Sequence, residues 1–174
     1  LGSKAPNFNL LDVTSDSDLS LLEFKGSVGT VIMFICNHCP YVKHVNPTIS
    51  RLAENHNSNE IKFIAISSND VFNYPDDSPE KMKINAIDND FNFPYLYDET
   101  QDVAKSYDAA CTPDFYVFDE SLELVYRGQL DDSRPENGIP VTGKDLRHTL
   151  NCLLNNQPIP QLQKPSIGCN IKWK

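Results

Sequence analysis

The sequence predicts an α/β protein in which a central mixed sheet is flanked by helices. Two observations support this fold class. Residues 28–35 form an almost continuous apolar and β-branched run, which is typical of a central strand covered on both faces. Along the rest of the chain, predicted strands and helices alternate until a terminal hairpin and one last helix. That order builds a sheet with both parallel and antiparallel strands.

The elements after this first strand follow from spacing and capping. Residues 41–55 predict a helix because apolar side chains recur at helical spacing, with Pro40 in its first turn and a kink expected at Pro47. Ser78 is the expected N-cap of a second helix, which ends near residue 87. The other predicted elements are strands at 61–66, 93–97, 114–118 and 123–127 and helices at 100–107 and 143–154.

Nothing in the sequence divides the chain. Apolar residues make up 40% and charged residues 22%, as in ordinary globular proteins. There is no internal repeat and no long linker. We therefore expect a single domain over residues 1–174, with an N-terminal extension at 1–26 and a C-terminal tail at 158–174.

The charge of the chain excludes some partners. Its 15 basic and 24 acidic residues give a net charge of −9, and no basic stripe offsets it, so nucleic acid is not an expected partner. The longest apolar run, residues 31–36, is too short to cross a bilayer, and we expect no membrane insertion. No secretory leader is visible, although the chain begins at Leu1 rather than Met. We expect a cytoplasmic protein.

The cysteines indicate redox chemistry. The chain holds five of them, an odd number, at positions 36, 39, 111, 152 and 169. One close pair with scattered single residues is typical of a reactive dithiol rather than a disulfide scaffold. Cys152 lies in an apolar helical stretch and is expected to be an inert buried thiol.

The close pair, Cys36-Asn37-His38-Cys39, is where the chemistry is expected. Cysteine reacts as the thiolate, and the start of a helix favours a negative sulfur. We expect Cys36 at the helix start to be the more exposed, attacking thiol. Cys39 is expected one turn into the helix as the resolving thiol. His38 is expected to stabilise the thiolate, which makes the disulfide more oxidising.

The Cys36–Cys39 motif has three other interpretations: half of a zinc site, a haem attachment motif, or a pair of inert cysteines. Half of a zinc site is one, but a structural zinc ion needs four ligands and no second Cys-x-x-Cys or His pair follows. Pro40 stands where a c-type haem motif needs His. Inert cysteines are the remaining alternative. We expect no cofactor and no metal.

Motifs spread over the chain resemble the thioredoxin superfamily. Thr112-Pro113, just before the predicted hairpin, resembles that superfamily's cis-proline, which packs against the dithiol. The start of the chain resembles the peroxiredoxin-like and TlpA-like (AhpC/TSA) branch. The stretches that carry the resemblance are Gly2-Ser3-Lys4-Ala5-Pro6-Asn7-Phe8, Phe34 to Lys43, Cys111 to Asp114, Tyr126 to Pro135 and Gly168 to Trp173. The resemblance implies a thioredoxin-like fold with Cys36, His38, Cys39, Thr112 and Pro113 at the site.

The sequence departs from these families in two ways: it lacks features needed for peroxide reduction, and it lacks an obvious proton acceptor for Cys39. The peroxidatic signature Pro-x-x-x-Thr-x-x-Cys is absent before Cys36, and the arginine that peroxiredoxins place beside their reactive sulfur has no equivalent. The strand before the dithiol also lacks the buried acid of thioredoxins. The proton acceptor for Cys39 is therefore open, with Lys43, His44 and Glu23 as candidates.

Three functions from different classes remain. The leading hypothesis is a thiol–disulfide oxidoreductase acting on protein or low-molecular-weight disulfides and served by a reductase or oxidase partner. The second is a thiol peroxidase in which Cys36 is oxidised to a sulfenic acid. The third is a copper-binding chaperone on a thioredoxin fold, since thiolates suit Cu(I).

The roles of Cys111 and Cys169 stay open between three alternatives. Both could be buried structural thiols. A disulfide between them could staple the tail to the hairpin, or a relay could pass oxidation from Cys36 and Cys39 to a second pair. The resemblance places Cys111 near Cys36.

Overall fold

The computed structural model describes residues 1–174, and its elements follow the predicted order closely. The nine strands are β1 (Asn9–Asp12), β2 (Ser17–Ser20), β3 (Gly29–Phe34), β4 (Ile61–Ser67), β5 (Tyr95–Tyr97), β6 (Cys111–Thr112), β7 (Asp114–Asp119), β8 (Leu124–Gly128) and β9 (Cys169–Asn170). The five helices are α1 (Leu21–Phe24), α2 (Pro40–His56), α3 (Pro79–Asp88), α4 (Asp102–Ser106) and α5 (Lys144–Leu154), and a 3-10 turn covers Pro75–Asp77. None of the helices combines the length and apolar character that crossing a membrane needs.

The central sheet is mixed, as the sequence predicts. Seven strands run in the order β2-β1-β5-β4-β3-β7-β8. Strands β3, β4 and β5 are parallel neighbours, whereas β7 and β8 form the predicted antiparallel hairpin on the other side of β3. The N-terminal extension joins this sheet, because β1 pairs with β5 and with β2. A second, two-stranded sheet joins β6 to β9 in the C-terminal tail.

The strand β3 lies at the centre of the core, which explains its uninterrupted apolar sequence. All six of its residues are buried. Val31 and Met33 belong to a cluster of 24 buried residues on one face, and Ile32 and Phe34 to a cluster of 14 on the other. Side chains alternate across a strand, so a strand with helices or loops on both faces needs apolar residues at every position.

Local signals explain two helix starts near the site. The side chain of Ser78 accepts a hydrogen bond from the backbone N–H of Lys81, which confirms the predicted N-cap of α3. Helix α2 begins at Pro40, whose missing N–H needs no partner in the first turn. It continues through Pro47 to His56.

Candidate active site

The cysteine pair lies in a short loop between β3 and α2, at the carboxyl ends of the parallel strands. In open α/β sheets this edge is where ligands bind. Cys39 is the N-cap of α2, with an extended backbone, and the helix begins only at Pro40. The expectation that Cys39 lies one turn inside the helix is therefore wrong. Cys36 precedes the helix by four positions, because Pro40 fixes the first helical residue.

Both sulfurs are enclosed by the protein. Cys36 is 1% exposed and Cys39 is 0% exposed, so the structure does not make Cys36 the more exposed of the two. Thr112 contacts both cysteines: its Oγ1 lies 3.5 Å from Cys36 Sγ, and its carbonyl oxygen lies 3.4 Å from Cys39 Sγ. The peptide bond between Thr112 and Pro113 is cis. The structure thus brings Cys36, Cys39 and Thr112 into contact, and Pro113 follows Thr112 in the chain.

A buried carboxylate that the sequence analysis missed holds the loop in place. Asp77, in the 3-10 turn before α3, is fully buried. It accepts hydrogen bonds from the backbone N–H groups of Asn37 (2.8 Å) and His38 (3.3 Å) and from the side-chain amide of Asn69 (2.9 Å). The Asn37 side chain is fixed in turn by the hydroxyl of Tyr95 at 2.9 Å. These bonds satisfy the polar groups of a loop that has no regular secondary structure.

His38 faces this carboxylate rather than serving only the thiols. Its Nδ1 lies 2.5 Å from Asp77 Oδ2, and its side chain is 27% exposed. The imidazole stacks on the ring of Tyr74, with centroids 5.7 Å apart and planes 8° apart. The donor atoms of Cys36, His38 and Asp77 nevertheless all lie within 4.8 Å of one another. Because Asp77 already accepts several hydrogen bonds, this trio fits a hydrogen-bonded His38–Asp77 pair beside a thiol better than an open metal site.

The two thiols of the pair differ in acidity. The pKa of Cys39 is lowered to about 4: the hydrogen bond from Cys36 is the largest cause, burial opposes it, and the Cys169 thiol and the N–H groups of Val42 and Cys169 make smaller contributions. The shared hydrogen bond with Cys39, then burial and the negative charge of Asp77 raise the pKa of Cys36 above its ordinary value. These directions make Cys39 the more acidic thiol of the pair and Cys36 the less acidic one.

None of the three expected proton acceptors contacts a thiol. His44 Nε2 bonds to the hydroxyl of Ser133 at 2.7 Å, and Lys43 and Glu23 are exposed. The acid that does stand beside the pair is Asp77, which comes from a different segment than the strand acid of thioredoxins. The only sequence signal for it is an Asp-Asp-Ser turn before a helix, and such turns are usually solvated.

The other cysteines are unpaired and lie in three settings. The sulfur of Cys169 lies 2.8 Å from that of Cys39. Cys111 Sγ lies 3.8 Å from the carbonyl oxygen of Pro113, so no disulfide joins Cys111 to Cys169. Cys152 is buried in α5, as the apolar helical pattern predicts, 3.6 Å from His148 Nε2.

The sheet topology, the cysteine loop between β3 and α2, and the neighbouring cis-proline define a protein of the thioredoxin fold. Comparisons with known proteins narrow this class. The AhpC/TSA family model matches residues 1–127, so the chain belongs to the AhpC/TSA family. Comparison with curated protein sequences gave no match.

Two solved structures match the chain over its whole length, and a third shares the fold over most of it. An uncharacterized conserved protein from Geobacillus kaustophilus is 59% identical, with a TM-score of 0.98 over 100% of this chain and 92% of that one. A hypothetical protein from Sinorhizobium meliloti is 41% identical, with a TM-score of 0.97 over 100% and 94% of the two chains. A secreted disulfide oxidoreductase from Mycobacterium tuberculosis shares the fold at 14% identity, with a TM-score of 0.64 over 83% and 95% of the two chains.

Proposed function

We propose that the protein is a thiol–disulfide oxidoreductase whose redox centre is the Cys36–Cys39 dithiol. The observation that carries the proposal is the shared contact of both sulfurs with Thr112, directly before a cis-proline at the carboxyl edge of the sheet. Two thiols held on one residue can close to a disulfide with little backbone movement. Several solved structures that share the fold, including those of the secreted Mycobacterium tuberculosis protein and of a Bacteroides fragilis protein, are described as thiol–disulfide or disulfide oxidoreductases.

The charge around the pair supports a division of roles. The sequence predicts that Cys36 attacks first, and no contact in the structure tests that order. What supports the reverse order is the lowered pKa of Cys39, which comes mainly from the hydrogen bond with Cys36 and to a smaller degree from backbone N–H groups at the start of α2. The thiolate is the nucleophile in disulfide exchange. We therefore assign the first attack to Cys39 and resolution to Cys36.

The exchange then proceeds in two balanced steps. The Cys39 thiolate attacks a substrate disulfide, so that Cys39 and one substrate sulfur form a mixed disulfide and the other substrate sulfur leaves as a thiolate. Cys36 loses its proton and attacks Cys39, and the second substrate sulfur leaves. Two electrons pass to the substrate, one substrate sulfur is protonated, and an intramolecular disulfide remains. The opposite order of steps oxidises a substrate dithiol.

The Cys36 proton has an acceptor in this scheme. His38 donates its Nδ1–H to Asp77, which leaves Nε2 free to accept, and a ring nitrogen of His38 lies within 4.8 Å of Cys36 Sγ. A carboxylate that fixes the tautomer of a histidine makes that histidine an effective base. We assign proton transfer from Cys36 to His38, with Asp77 as its positioning residue.

A shallow groove next to Pro113, with space for little more than one water-sized group, gives a substrate a point of contact beside the dithiol. Its lining includes Tyr41, Pro113, Leu130, Arg134 and Ile167. The guanidinium of Arg134 is held by the Gln129 side chain at 2.5 Å, so this side of the groove is rigid. Such a surface suits a segment of a protein disulfide or a low-molecular-weight disulfide, and turnover further requires a reductase or oxidase partner.

Thiol peroxidase activity is the second candidate, supported by the family assignment and by a thiolate at a helix start. Against it, none of the groups that chiefly shift the pKa values of Cys36 and Cys39 is an arginine or a lysine. A peroxide-reducing site needs such a cation to hold the leaving oxygen. We expect peroxide to oxidise the pair far more slowly than a disulfide does.

A redox titration tests the proposed function. Reduced protein is equilibrated with mixtures of glutathione and glutathione disulfide, quenched in acid and alkylated, and its intact mass is measured. We expect one reversible two-electron transition, absent from Cys39→Ser and from the double variant Cys36→Ser with Cys169→Ser, and retained by Cys152→Ser, whose thiol is buried away from the site. A protein whose Cys36 and Cys39 stay reduced throughout would contradict the proposal. A parallel titration with hydrogen peroxide separates the peroxidase alternative.

A further inference from the structure

The C-terminal tail brings a third thiol to the dithiol. Cys169 Sγ and Cys39 Sγ lie 2.8 Å apart, although the residues are separated by 130 positions. A disulfide bond is about 2.05 Å long, so closing this contact requires a movement of about 0.8 Å. Neither Cys111 nor Cys152 makes a contact of this kind.

The tail is held in register with the site by several independent contacts. Strand β9 pairs with β6 so that Cys169 stands opposite Thr112, the residue that touches both thiols of the pair. Gly168 allows this approach, since a Cβ atom there would overlap the carbonyl oxygen of Thr112. Beyond the strand, Ile171 is buried, and the backbone N–H of Lys172 donates to Asn69 Oδ1 at 2.9 Å.

The three sulfurs form a series from the interior to the surface. Cys36 and Cys39 are buried, whereas Cys169 is partly exposed. Cys39 is the middle member, with a hydrogen bond to Cys36 on one side and the contact with Cys169 on the other. A partner thiol too large to enter the site reaches Cys169 first.

We propose that Cys169 is a third redox-active thiol that carries disulfide exchange between the buried Cys36–Cys39 pair and partner thiols at the surface. The proposal rests on the proposed function, since it assigns the route by which that pair reaches its partners. It gives the C-terminal tail a chemical role in addition to its packing.

The relay starts from the Cys36–Cys39 disulfide, and its electrons and protons balance. The Cys169 thiolate attacks Cys39, a Cys39–Cys169 disulfide forms, and the Cys36 sulfur leaves as a thiolate and takes up a proton. A partner thiolate next attacks the exposed sulfur of Cys169, and Cys39 leaves as a thiolate. A second partner thiol then attacks the mixed disulfide, releases the oxidised partner and restores Cys169. Two electrons pass from the partner to the chain, and the reverse sequence passes them outward.

The charge on Cys39 makes the reactivity of the Cys169 thiol depend on the redox state of the pair. Burial and the neighbouring Cys39 sulfur raise the pKa of Cys169 to about 11, so in the reduced protein Cys169 is held as the thiol. When Cys39 is in a disulfide, its negative charge is gone and this influence on Cys169 disappears. Cys169 becomes a better nucleophile at the stage when the relay needs it. Cys39, with its lowered pKa, is the better leaving group in the step that follows.

Peptide mapping and reduction kinetics test the relay on the full chain. The protein is oxidised with glutathione disulfide, quenched in acid, alkylated, and digested without reduction. We expect a Cys39–Cys169 cross-linked peptide with alkylated Cys36 in part of the wild-type protein, and the same cross-link as the main product of Cys36→Ser. Reduction of the oxidised protein by a protein dithiol is expected to be about 10-fold slower in Cys169→Ser, because the buried disulfide is then reached directly. Cys111→Ser, which removes a nearby thiol on β6 that stands opposite Asn170, is the matched control and is expected to reduce at the wild-type rate.

The outcomes separate the relay from the function on which it rests. A wild-type protein that forms only Cys36–Cys39, with Cys169→Ser reduced at the wild-type rate, would overturn the relay and leave the dithiol function intact. A main cross-link from Cys169 to Cys111 would also overturn the relay. Absence of any Cys36–Cys39 disulfide, in wild-type and Cys169→Ser alike, would contradict both proposals.

Discussion

Cys36 and Cys39 carry the same thiol group three residues apart, yet Cys36 lies on the side of a buried carboxylate and Cys39 at the start of a helix. On the Cys36 side, Asp77 and His38 provide a negative charge and a proton acceptor. On the Cys39 side, backbone N–H groups favour negative charge, and Cys169 leads towards the surface. The pKa values of the two thiols therefore diverge first because they share a hydrogen bond, and then because Asp77 stands near Cys36 whereas backbone N–H groups stand near Cys39.

Trapping of mixed disulfides is the most direct test of this difference, and its effect is expected to be close to all or none. In Cys36→Ser the Cys39 thiolate remains and the resolving thiol is absent, so mixed disulfides with a model protein disulfide accumulate. In Cys39→Ser the remaining Cys36 thiol has a raised pKa and few are trapped. Non-reducing gels after acid quenching measure both. Because Cys169 can resolve an adduct on Cys39, each variant is also made with Cys169→Ser. More adduct on Cys36 than on Cys39 would restore the order predicted from the sequence.

Replacement of Asp77 by Asn is expected to have the next largest effect, and it tests the Cys36 side. The amide cannot accept all the hydrogen bonds that the carboxylate receives from Asn37, His38 and Asn69, so a buried donor loses its partner. We expect a loss of about 3 kcal/mol in the free energy of unfolding, measured by urea denaturation. The neighbouring Asp76→Asn is the matched control, since the Asp76 side chain is exposed and bonds only to Lys81 at the surface. Equal losses in both variants would show that Asp77 has no special structural role.

The pH dependence of the reduced protein tests the Cys39 side. Because the pKa of Cys39 is lowered to about 4, we expect one thiolate, seen in ultraviolet absorbance, to persist in acid and to disappear near pH 4.

Linkage gives the sign for the pH dependence of stability: the contribution of Cys39 is full above its unfolded pKa of about 8.5 and is lost as the pH falls towards 4. Cys36 has a raised pKa in the folded protein. Its contribution to stability is therefore full below the unfolded pKa of about 8.5 and is lost as the pH rises above it. Cys36→Ala, which removes the hydrogen bond to Cys39, should raise the midpoint. An unchanged midpoint would refute the shared bond as its cause.

The reduction potential is expected to show the smallest effect. Stabilisation of the Cys39 thiolate favours the reduced form, so the couple should lie nearer the value of about −180 mV of a disulfide isomerase than the value of about −270 mV of thioredoxin. Replacement of His38 by Pro should lower the potential, because the site loses the imidazole that faces Asp77. Equilibrium with glutathione measures both proteins. A wild-type potential at or below that of thioredoxin would contradict the prediction.

The sequence predicted the fold where local patterns and tertiary structure agree. The apolar run of β3 could only be a strand covered on both faces, and Ser78 has the chemistry of an N-cap. The cysteine motif likewise identified the reactive loop. The helix after the motif was predicted to within one residue at its start, but Cys39 was placed one turn inside it, since Pro40 is compatible with either the first turn or the first residue of a helix.

The contacts that the sequence could not predict join distant segments. Asp77 reaches the dithiol loop from a turn about 40 residues away, and its sequence is indistinguishable from that of a solvated turn. Cys169 reaches Cys39 only because β9 pairs with β6. Neither pairing leaves a periodic pattern, so spacing along the chain alone carries no signal for it.

The pairing of the tail with β6 also makes the topology of the covalent chain depend on its redox state. A Cys36–Cys39 disulfide closes a loop of a few residues, whereas a Cys39–Cys169 disulfide ties together positions that are 130 residues apart and encloses most of the sheet. On the chain-entropy account, the first loop constrains the unfolded chain by about 2 kcal/mol and the second by about 5 kcal/mol. Transfer of one bond between neighbouring sulfurs would therefore convert an almost linear chain into a large covalent ring, and the molecule would resist unfolding and proteolysis most strongly at the stage when it exchanges with its partners.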